Sequence, residues 1–207
     1  MKDLINKIEE LKQSNISSII STRINEFKNI DKSSKEELFS ELCFCILTAN
    51  YSAEKCINIQ KEIGNEFLFL SEKDLAKKLT EFGHRFPNYR AKYISESTKY
   101  DTILTDVVCH SSETEIREWL VKNVKGLGYK ESSHFLRNIG FENLAIIDFH
   151  IIDILVNNDI IKKPKSMNKK KYLEIERILK GLAEKTNLTL AELDLYLWYL
   201  ETGKILK

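Results

Sequence analysis

The 207-residue sequence predicts an all-α protein built from two helical lobes. Apolar side chains recur at the three- and four-residue spacing of helices through most of the chain. No run of alternating apolar and polar residues persists, as a half-buried strand would require. The composition, 43% hydrophobic and 30% charged, is that of a globular protein large enough to bury a real core.

The first helices lead into a strongly apolar one. Residues 3–12 and 16–29 follow a helical period, and the segment 31–34 offers good N-cap residues. The stretch from Ser34 to Asn50 is then apolar nearly all round, which predicts a helix in the middle of the core.

A segment rich in cations and rings, Gly83 to Arg90, separates the next helices. These helices are predicted over residues 53–63, 72–82 and 88–105, with a linker at 107–112. The segment has no helical stripe, and Pro87 favours a loop. Exposed cations and rings suit a DNA contact, with Phe86 as a wedge and Arg85 on bases or phosphate. The alternative is that Phe86 simply packs into the core.

Two helices joined by Gly-Leu-Gly predict a helix-hairpin-helix motif at about residues 115–139. The first helix ends at Asn123 and the second begins at Tyr129. Gly126 and Gly128 would let backbone N–H groups approach a DNA phosphate, and the second helix would add its positive dipole end. Alone the pattern also fits an ordinary helix-helix turn. A nucleotide-binding loop would need a preceding strand and a third glycine.

The rest of the chain is also predicted to be helical. Helices are expected over residues 151–157, 169–181 and 190–200. The basic turn at 162–166 is either a solvated loop or a contribution to DNA affinity.

Composition limits the classes of function. The net charge is only +1, so a nucleic-acid surface must come from local clustering of cations. We find no signal peptide or transmembrane run and expect a cytoplasmic, DNA-associated prokaryotic protein without a membrane partner. The cysteines lack zinc or cluster spacing and are expected to be reduced core thiols, with no metal or cofactor. They are Cys43, Cys45, Cys56 and Cys109.

Lys130 follows the glycine turn, and Asp148 comes 18 positions later within Ile-Ile-Asp-Phe-His. With the hairpin, this pattern resembles the helix-hairpin-helix superfamily of DNA base-excision glycosylases, which carry Gly-x-Gly-x-Lys and then an aspartate in an Asp-x-His context. Taken singly, Lys130 could be a surface lysine and Asp148 a helix N-cap. Taken together, they favour a catalytic pair.

Within that superfamily the chain resembles the compact archaeal type of 8-oxoguanine DNA glycosylase/AP lyase. The resemblance covers essentially the whole chain, notably residues 42–50, 83–86, 126–138 and 194–200. The endonuclease III and MutY branches usually carry a four-cysteine cluster after the catalytic domain, but no cysteine follows Cys109. The chain also has no room for the N-terminal β-domain of the eukaryotic enzymes. Phe149 stands where close relatives tend to place a basic residue, so one phosphate contact is in doubt.

The resemblance implies a bifunctional enzyme that uses Lys130 as nucleophile. The helix N-terminus and partial burial both favour its neutral amine. That amine would attack C1′, displace the damaged base and form a Schiff base, from which β-elimination cleaves the strand 3′ to the lesion. Asp148 would stabilise the oxocarbenium character that develops as the glycosidic bond breaks.

Further roles are implied by the same resemblance. His150 would contact a backbone phosphate, although alone it could equally be a core histidine. Asn50 would fill the hole left by the flipped base, unless it is only a helix C-cap. The α-carboxylate of Lys207 would recognise the N7–H that distinguishes 8-oxoguanine from guanine. Trp198 would stack on the extruded base. The plainer alternatives are a frayed tail for Lys207 and core packing for Trp198.

The predicted architecture places residues 34–118 in one lobe. The second lobe combines 1–33 with 119–207, and a cleft between them would take the flipped nucleotide. The expected partner is double-stranded DNA with 8-oxoguanine or abasic sites, bound by a monomer. A glycosylase for another oxidised base and a non-catalytic helix-hairpin-helix module remain alternatives.

Overall fold

The chain is helical throughout and contains no strand, which confirms the all-α prediction. The structure is a computed structural model that describes residues 1–207. Its α-helices are α1 (Lys2–Lys12), α2 (Ile16–Lys28), α3 (Lys35–Thr48), α4 (Ala53–Ile63), α5 (Glu72–Glu81), α6 (Pro87–Ser97), α7 (Asp101–His110), α8 (Glu113–Asn123), α9 (Tyr129–Asn138), α10 (Phe149–Asn157), α11 (Lys169–Lys185) and α12 (Leu190–Thr202). Short 3-10 turns occupy Gly64–Leu68 and Thr98–Tyr100. None of these helices is at once long and apolar enough to cross a membrane.

Several predicted boundaries were wrong. Pro87 does not hold a loop but begins α6, because proline lacks an N–H and its fixed φ suits the first turn of a helix. The helix expected over 88–105 is interrupted by the turn at Thr98–Tyr100, and α7 then continues to His110 through most of the supposed linker. Cys109 is therefore an exposed residue of α7, whereas the other three cysteines are buried as predicted.

The chain folds as two compact units. We call Ile30–Ile139 the hairpin unit, and Met1–Asn29 together with Gly140–Lys207 the terminal unit. The boundary lies after residue 139 rather than after 118, so the helix-hairpin-helix belongs with the central helix α3 and not with the chain termini. The reason is that α9 packs directly on α3: the His134 ring meets the edge of Phe44 at 5.6 Å.

Helix α3 is the centre of the hairpin unit. The Ser34 hydroxyl accepts a hydrogen bond from the Glu37 N–H at 3.2 Å, so the predicted N-cap is confirmed. From Leu38 onward every residue of the helix is buried except Ser40. Its buried Glu41 carboxylate accepts hydrogen bonds from Gln60 of α4 at 3.0 Å and from Asn138 of α9 at 3.1 Å. This polar junction fixes three helices relative to one another.

Helix α12 is the centre of the terminal unit and packs against α1, α2, α10 and α11. A capping box starts it, since the Thr189 hydroxyl accepts from the Glu192 N–H at 3.1 Å and the Glu192 carboxylate accepts from the Thr189 N–H at 2.8 Å. Gly140 opens the second part of the unit with φ +87°. A Cβ there would lie 2.8 Å from the Lys28 Cα, so the close approach to the end of α2 requires glycine.

Candidate active site and DNA-contact segments

Lys130 lies in the first turn of α9, directly after the glycine turn, as the sequence predicted. Its side chain is half-buried. Burial raises the pKa of the nearby Cys56 thiol to about 12, and the positive charges of Arg90 and Lys130 oppose that shift without reversing it. Because the thiol stays neutral, it is not a competing nucleophile beside the lysine.

Helix α8 holds the start of α9 through the residue before Lys130. The Tyr129 hydroxyl donates to the Glu118 carboxylate, and the Arg117 guanidinium lies 5.1 Å from the centre of the Tyr129 ring. Arg117 is only 1% exposed and also donates to the Ser133 hydroxyl at 3.3 Å. Two side chains of α8 thus set the position from which Lys130 projects.

The glycine turn is held by a capping bond and by close packing. The Gly128 N–H, which is predicted to approach a DNA phosphate, donates to the Glu131 carboxylate at 3.1 Å, because a glutamate at the third helical position reaches back to the helix start. Gly126 has φ +91°, and a Cβ there would lie 2.6 Å from the Tyr93 ring. The turn therefore needs glycine at 126 for conformation and for packing against α6.

Asp148 is the N-cap of α10, which is the plainer of the two roles foreseen for it. Its Oδ1 accepts from the Ile151 N–H at 2.9 Å, so the cap bond occupies one of the two carboxylate oxygens. The extended approach to Asp148 is pinned by α11. The Tyr172 hydroxyl accepts from the Ile147 N–H at 3.2 Å and donates to the Ala145 carbonyl at 2.7 Å.

His150 and Trp198 meet in the terminal unit. Their rings are 4.8 Å apart at 84°, and the His150 Nδ1 lies 3.8 Å from a Glu201 carboxylate oxygen. Trp198 is half-buried, and its Nε1 is inaccessible to solvent and has no hydrogen-bond partner. Phe149, 68% exposed, also lies against His150, with ring centres 3.8 Å apart. Lys207 is half-buried at the end of the chain.

Asn50 and the segment around Phe86 were predicted separately, but the structure ties the two segments together. Asn50 is exposed with φ +59° one residue beyond Ala49, the C-cap of α3, so it is not the cap itself. The Tyr51 hydroxyl donates to the Gly83 carbonyl at 2.8 Å, and Arg90 donates to the Ala49 carbonyl. The two segments form one surface of the hairpin unit.

Within this surface Arg85 and Phe86 differ in exposure. Arg85 is exposed, and its guanidinium lies 5.0 Å from the centre of the half-buried Phe86 ring. The core alternative for Phe86 therefore holds only in part, and its role as a wedge stays a prediction. The ring is neither enclosed by the core nor fully in solvent.

The structure distributes the candidate residues over both units. The hairpin unit carries Lys130, Gly126, Gly128, Asn50, Arg85 and Phe86, and the terminal unit carries Asp148, His150, Trp198 and Lys207. Sequence reasoning missed Arg117, Arg90 and His84 as supports of these residues. A signal was present for two of them: the chain has only six arginines, and Arg90, Arg117 and Arg137 are all buried. In a lysine-rich sequence, an arginine on an apolar helix indicates a position where the planar guanidinium, with its several N–H donors, is needed.

An all-helical chain with a glycine hairpin, a lysine in the next first turn and an aspartate capping the following helix defines a helix-hairpin-helix protein of the DNA-glycosylase class. Comparison with known sequences identifies the family within this class. The chain belongs to the 8-oxoguanine DNA glycosylase family Ogg-HhH, whose model matches residues 20–188.

Similar proteins cover the whole chain. An 8-oxoguanine DNA glycosylase/AP lyase of Methanocaldococcus jannaschii is 54% identical over 205 residues, which are 99% of each chain. The enzyme of the same name from Korarchaeum cryptofilum is 53% identical over 207 residues, 99% of this chain and 98% of the relative. The M. jannaschii glycosylase/lyase crystallised with 15mer DNA containing 8-oxoguanine superimposes with a TM-score of 0.96 at 54% identity, covering 99% of both chains.

Proposed function

We propose that this protein excises 8-oxoguanine from DNA and then cleaves the strand at the resulting abasic site. The observation that carries the proposal is the match over 99% of both chains to the M. jannaschii 8-oxoguanine DNA glycosylase/AP lyase. The position of Lys130 behind a conformationally required glycine turn supports it, because the family chemistry needs an amine at that point.

Lys130 is the proposed nucleophile. Its unprotonated amine attacks C1′ of the damaged nucleotide, the glycosidic bond breaks, and the base leaves with the bonding electron pair and takes up a proton. Opening of the sugar ring gives the Schiff base. Loss of a proton from C2′ then expels the 3′ phosphate and cleaves the strand.

Asp148 supplies the carboxylate for the same reaction. The glycosidic bond breaks with oxocarbenium character, and a fixed negative charge nearby stabilises that charge more in the transition state than in the ground state. The anchoring of residues 145–147 by Tyr172 supports this role, because a carboxylate held in place needs no reorganisation during the reaction.

Substrate recognition is assigned to two groups of residues, one that contacts the duplex and one that contacts the extruded base. Phe86 acts as a wedge in the duplex, with Arg85 and Asn50 beside it, while Gly126, Gly128 and His150 lie along the phosphates. Because Glu131 occupies the Gly128 N–H, that contact requires the carboxylate to withdraw. The Lys207 α-carboxylate accepts the N7–H of 8-oxoguanine, and the Trp198 ring stacks on the extruded base.

Borohydride trapping tests the nucleophile. The wild-type protein should form a covalent adduct with an 8-oxoguanine duplex, and Lys130→Gln should form none. Lys73→Gln, which changes an exposed lysine of α5 in the same unit, is the matched control and should trap like wild type. An undiminished adduct with Lys130→Gln would overturn the assignment.

A panel of lesion-bearing duplexes tests the substrate. Release of 8-oxoguanine ahead of oxidised pyrimidines supports the proposal. A preference for another lesion favours a different glycosylase, and binding without any scission favours a binding module. Light scattering of the protein and its DNA complex tests the expected monomer.

A further inference from the structure

His84 is a buried histidine that the reaction does not use, although it lies directly before the proposed DNA contacts Arg85 and Phe86. Its side chain belongs to the core at 4% exposure. Both ring nitrogens nevertheless have partners. Nε2 lies 3.0 Å from the Leu47 carbonyl near the end of α3, and Nδ1 lies 3.1 Å from the backbone nitrogen of Phe86.

These partners define the protonation state of the ring. The Phe86 N–H can only donate, so Nδ1 must be the unprotonated acceptor, and the Leu47 carbonyl can only accept, so Nε2 must carry the proton. A protonated imidazole would set a second donor against the Phe86 N–H. The arrangement thus requires the neutral Nε2–H tautomer, and the surroundings agree, because burial lowers the pKa of His84, the Leu47 hydrogen bond only partly opposes this, and the charge of Arg90 lowers the pKa further.

The groups around His84 reinforce the same junction. The Tyr51 ring lies 4.2 Å from the His84 ring, and its hydroxyl bonds to Gly83, the residue before His84. Arg90 reaches across to Ala49 while its guanidinium lies 5.9 Å from the Phe86 ring. Of these side-chain ties, only the one from His84 Nδ1 reaches the backbone of Phe86, whose carbonyl also accepts from the Arg90 N–H at 3.0 Å as α6 begins.

We propose that neutral His84 is the positioning residue for the Phe86 wedge, holding its backbone against the end of α3 so that the ring is in place before DNA arrives. This inference rests on the proposed function, because a wedge has meaning only for an enzyme that extrudes a base. A wedge fixed in advance loses less conformational entropy when DNA binds. The extra binding energy is available for unstacking the target nucleotide.

Two substitutions separate the two hydrogen bonds. The Asn side-chain oxygen stands close to where Nδ1 was, so His84→Asn retains an acceptor for the Phe86 N–H and loses the Leu47 bond. The Gln side-chain nitrogen stands close to where Nε2 was, so His84→Gln retains the Leu47 bond and loses the Phe86 acceptor. The two variants are therefore matched controls for each other.

The readout is a ratio of two rates for each variant. The first is single-turnover strand cleavage of an 8-oxoguanine duplex, which requires base extrusion. The second is borohydride trapping on a single-stranded abasic oligonucleotide, which requires only the amine chemistry. We expect His84→Asn to keep this ratio within about twofold of wild type and His84→Gln to lower it about fivefold, the effect of one lost hydrogen bond. A general loss of folded protein lowers both rates and leaves the ratio unchanged.

Phe86→Ala provides the second arm. If His84 acts through Phe86, adding His84→Gln to Phe86→Ala should lower the ratio no further. Equal ratios for the Asn and Gln variants, or a further loss in the double variant, overturn the positioning role of His84. Absence of cleavage of the 8-oxoguanine duplex by the wild-type protein overturns the proposed function instead.

Discussion

The hairpin unit and the terminal unit bury polar side chains very differently. Of the thirteen buried polar or charged residues, twelve lie in the hairpin unit and only Thr186 lies in the terminal unit. The twelve include a glutamate, three arginines and two histidines, which are expensive to bury unless they are hydrogen-bonded. Thr186 is satisfied by its own helix, through the carbonyls of Leu182 and Ala183.

This difference separates two ways of building a protein core. Apolar burial is roughly proportional to area and tolerates adjustment, so it stabilises the terminal unit without fixing exact directions. Hydrogen bonds between buried groups depend on distance and angle, so they fix the hairpin unit to one arrangement. The unit that carries the proposed nucleophile and the proposed wedge is the one with directional bonds, and we infer that these bonds serve to place both residues precisely.

The largest effect should follow from breaking the junction at Glu41. In Glu41→Leu, the Gln60 and Asn138 amides lose a buried acceptor, and we expect the free energy of unfolding to fall by about 2–6 kcal/mol, the cost of two unsatisfied buried donors. The counterpart Thr186→Val removes only a local bond within the terminal unit and should lower it by about 1 kcal/mol. Urea unfolding of both variants measures the two values. Similar losses would remove the distinction between the units.

The next effect concerns Arg117, which holds the start of α9 and so sets the position of Lys130. Lysine in place of Arg117 keeps the charge but cannot both lie over the Tyr129 ring and reach Ser133 with a planar fork. We expect Arg117→Lys to slow single-turnover adduct formation about tenfold, because a small displacement of a nucleophile is enough for such a loss. DNA affinity should change little. Arg177→Lys, at an exposed arginine of α11, should behave like wild type.

Local patterns explain what the sequence could predict. The helices and the glycine hairpin were predicted because each is a matter of residues a few positions apart, and Lys130 followed from its place in that hairpin. The Pro87 boundary was wrong because proline suits both a loop and a first helical turn, and only the packing of α6 decides.

Long-range pairings explain what the sequence could not predict. The His84 ring and the Leu47 carbonyl are 37 residues apart, and the Arg117 fork meets a hydroxyl 16 residues away. Neither separation follows from the periodicity of a helix, so no repeating sequence pattern predicts these hydrogen bonds. The predicted boundary between the units differed from the observed one for the same reason. The contacts of the hairpin with α3 and α6 assign it to its unit.

The smallest effect is a dependence of stability on pH that arises in the hairpin unit. Burial lowers the pKa of His84 below its ordinary 6.5, with the Leu47 hydrogen bond opposing and the charge of Arg90 adding to the shift. As pH falls below 6.5, the histidine of the unfolded chain takes up a proton before the folded one does, so the free energy of unfolding decreases. The decrease should continue until pH reaches the folded pKa and then level off.

Thermal unfolding of the wild-type protein between pH 7 and pH 5 measures this decrease. His84→Asn, which cannot titrate, should show a shallower decline. His110→Asn, at an exposed histidine of α7, should follow wild type. If the two variants declined in parallel, the buried histidine would not be the source of the slope, and the neutral tautomer that holds Phe86 would lose its thermodynamic support.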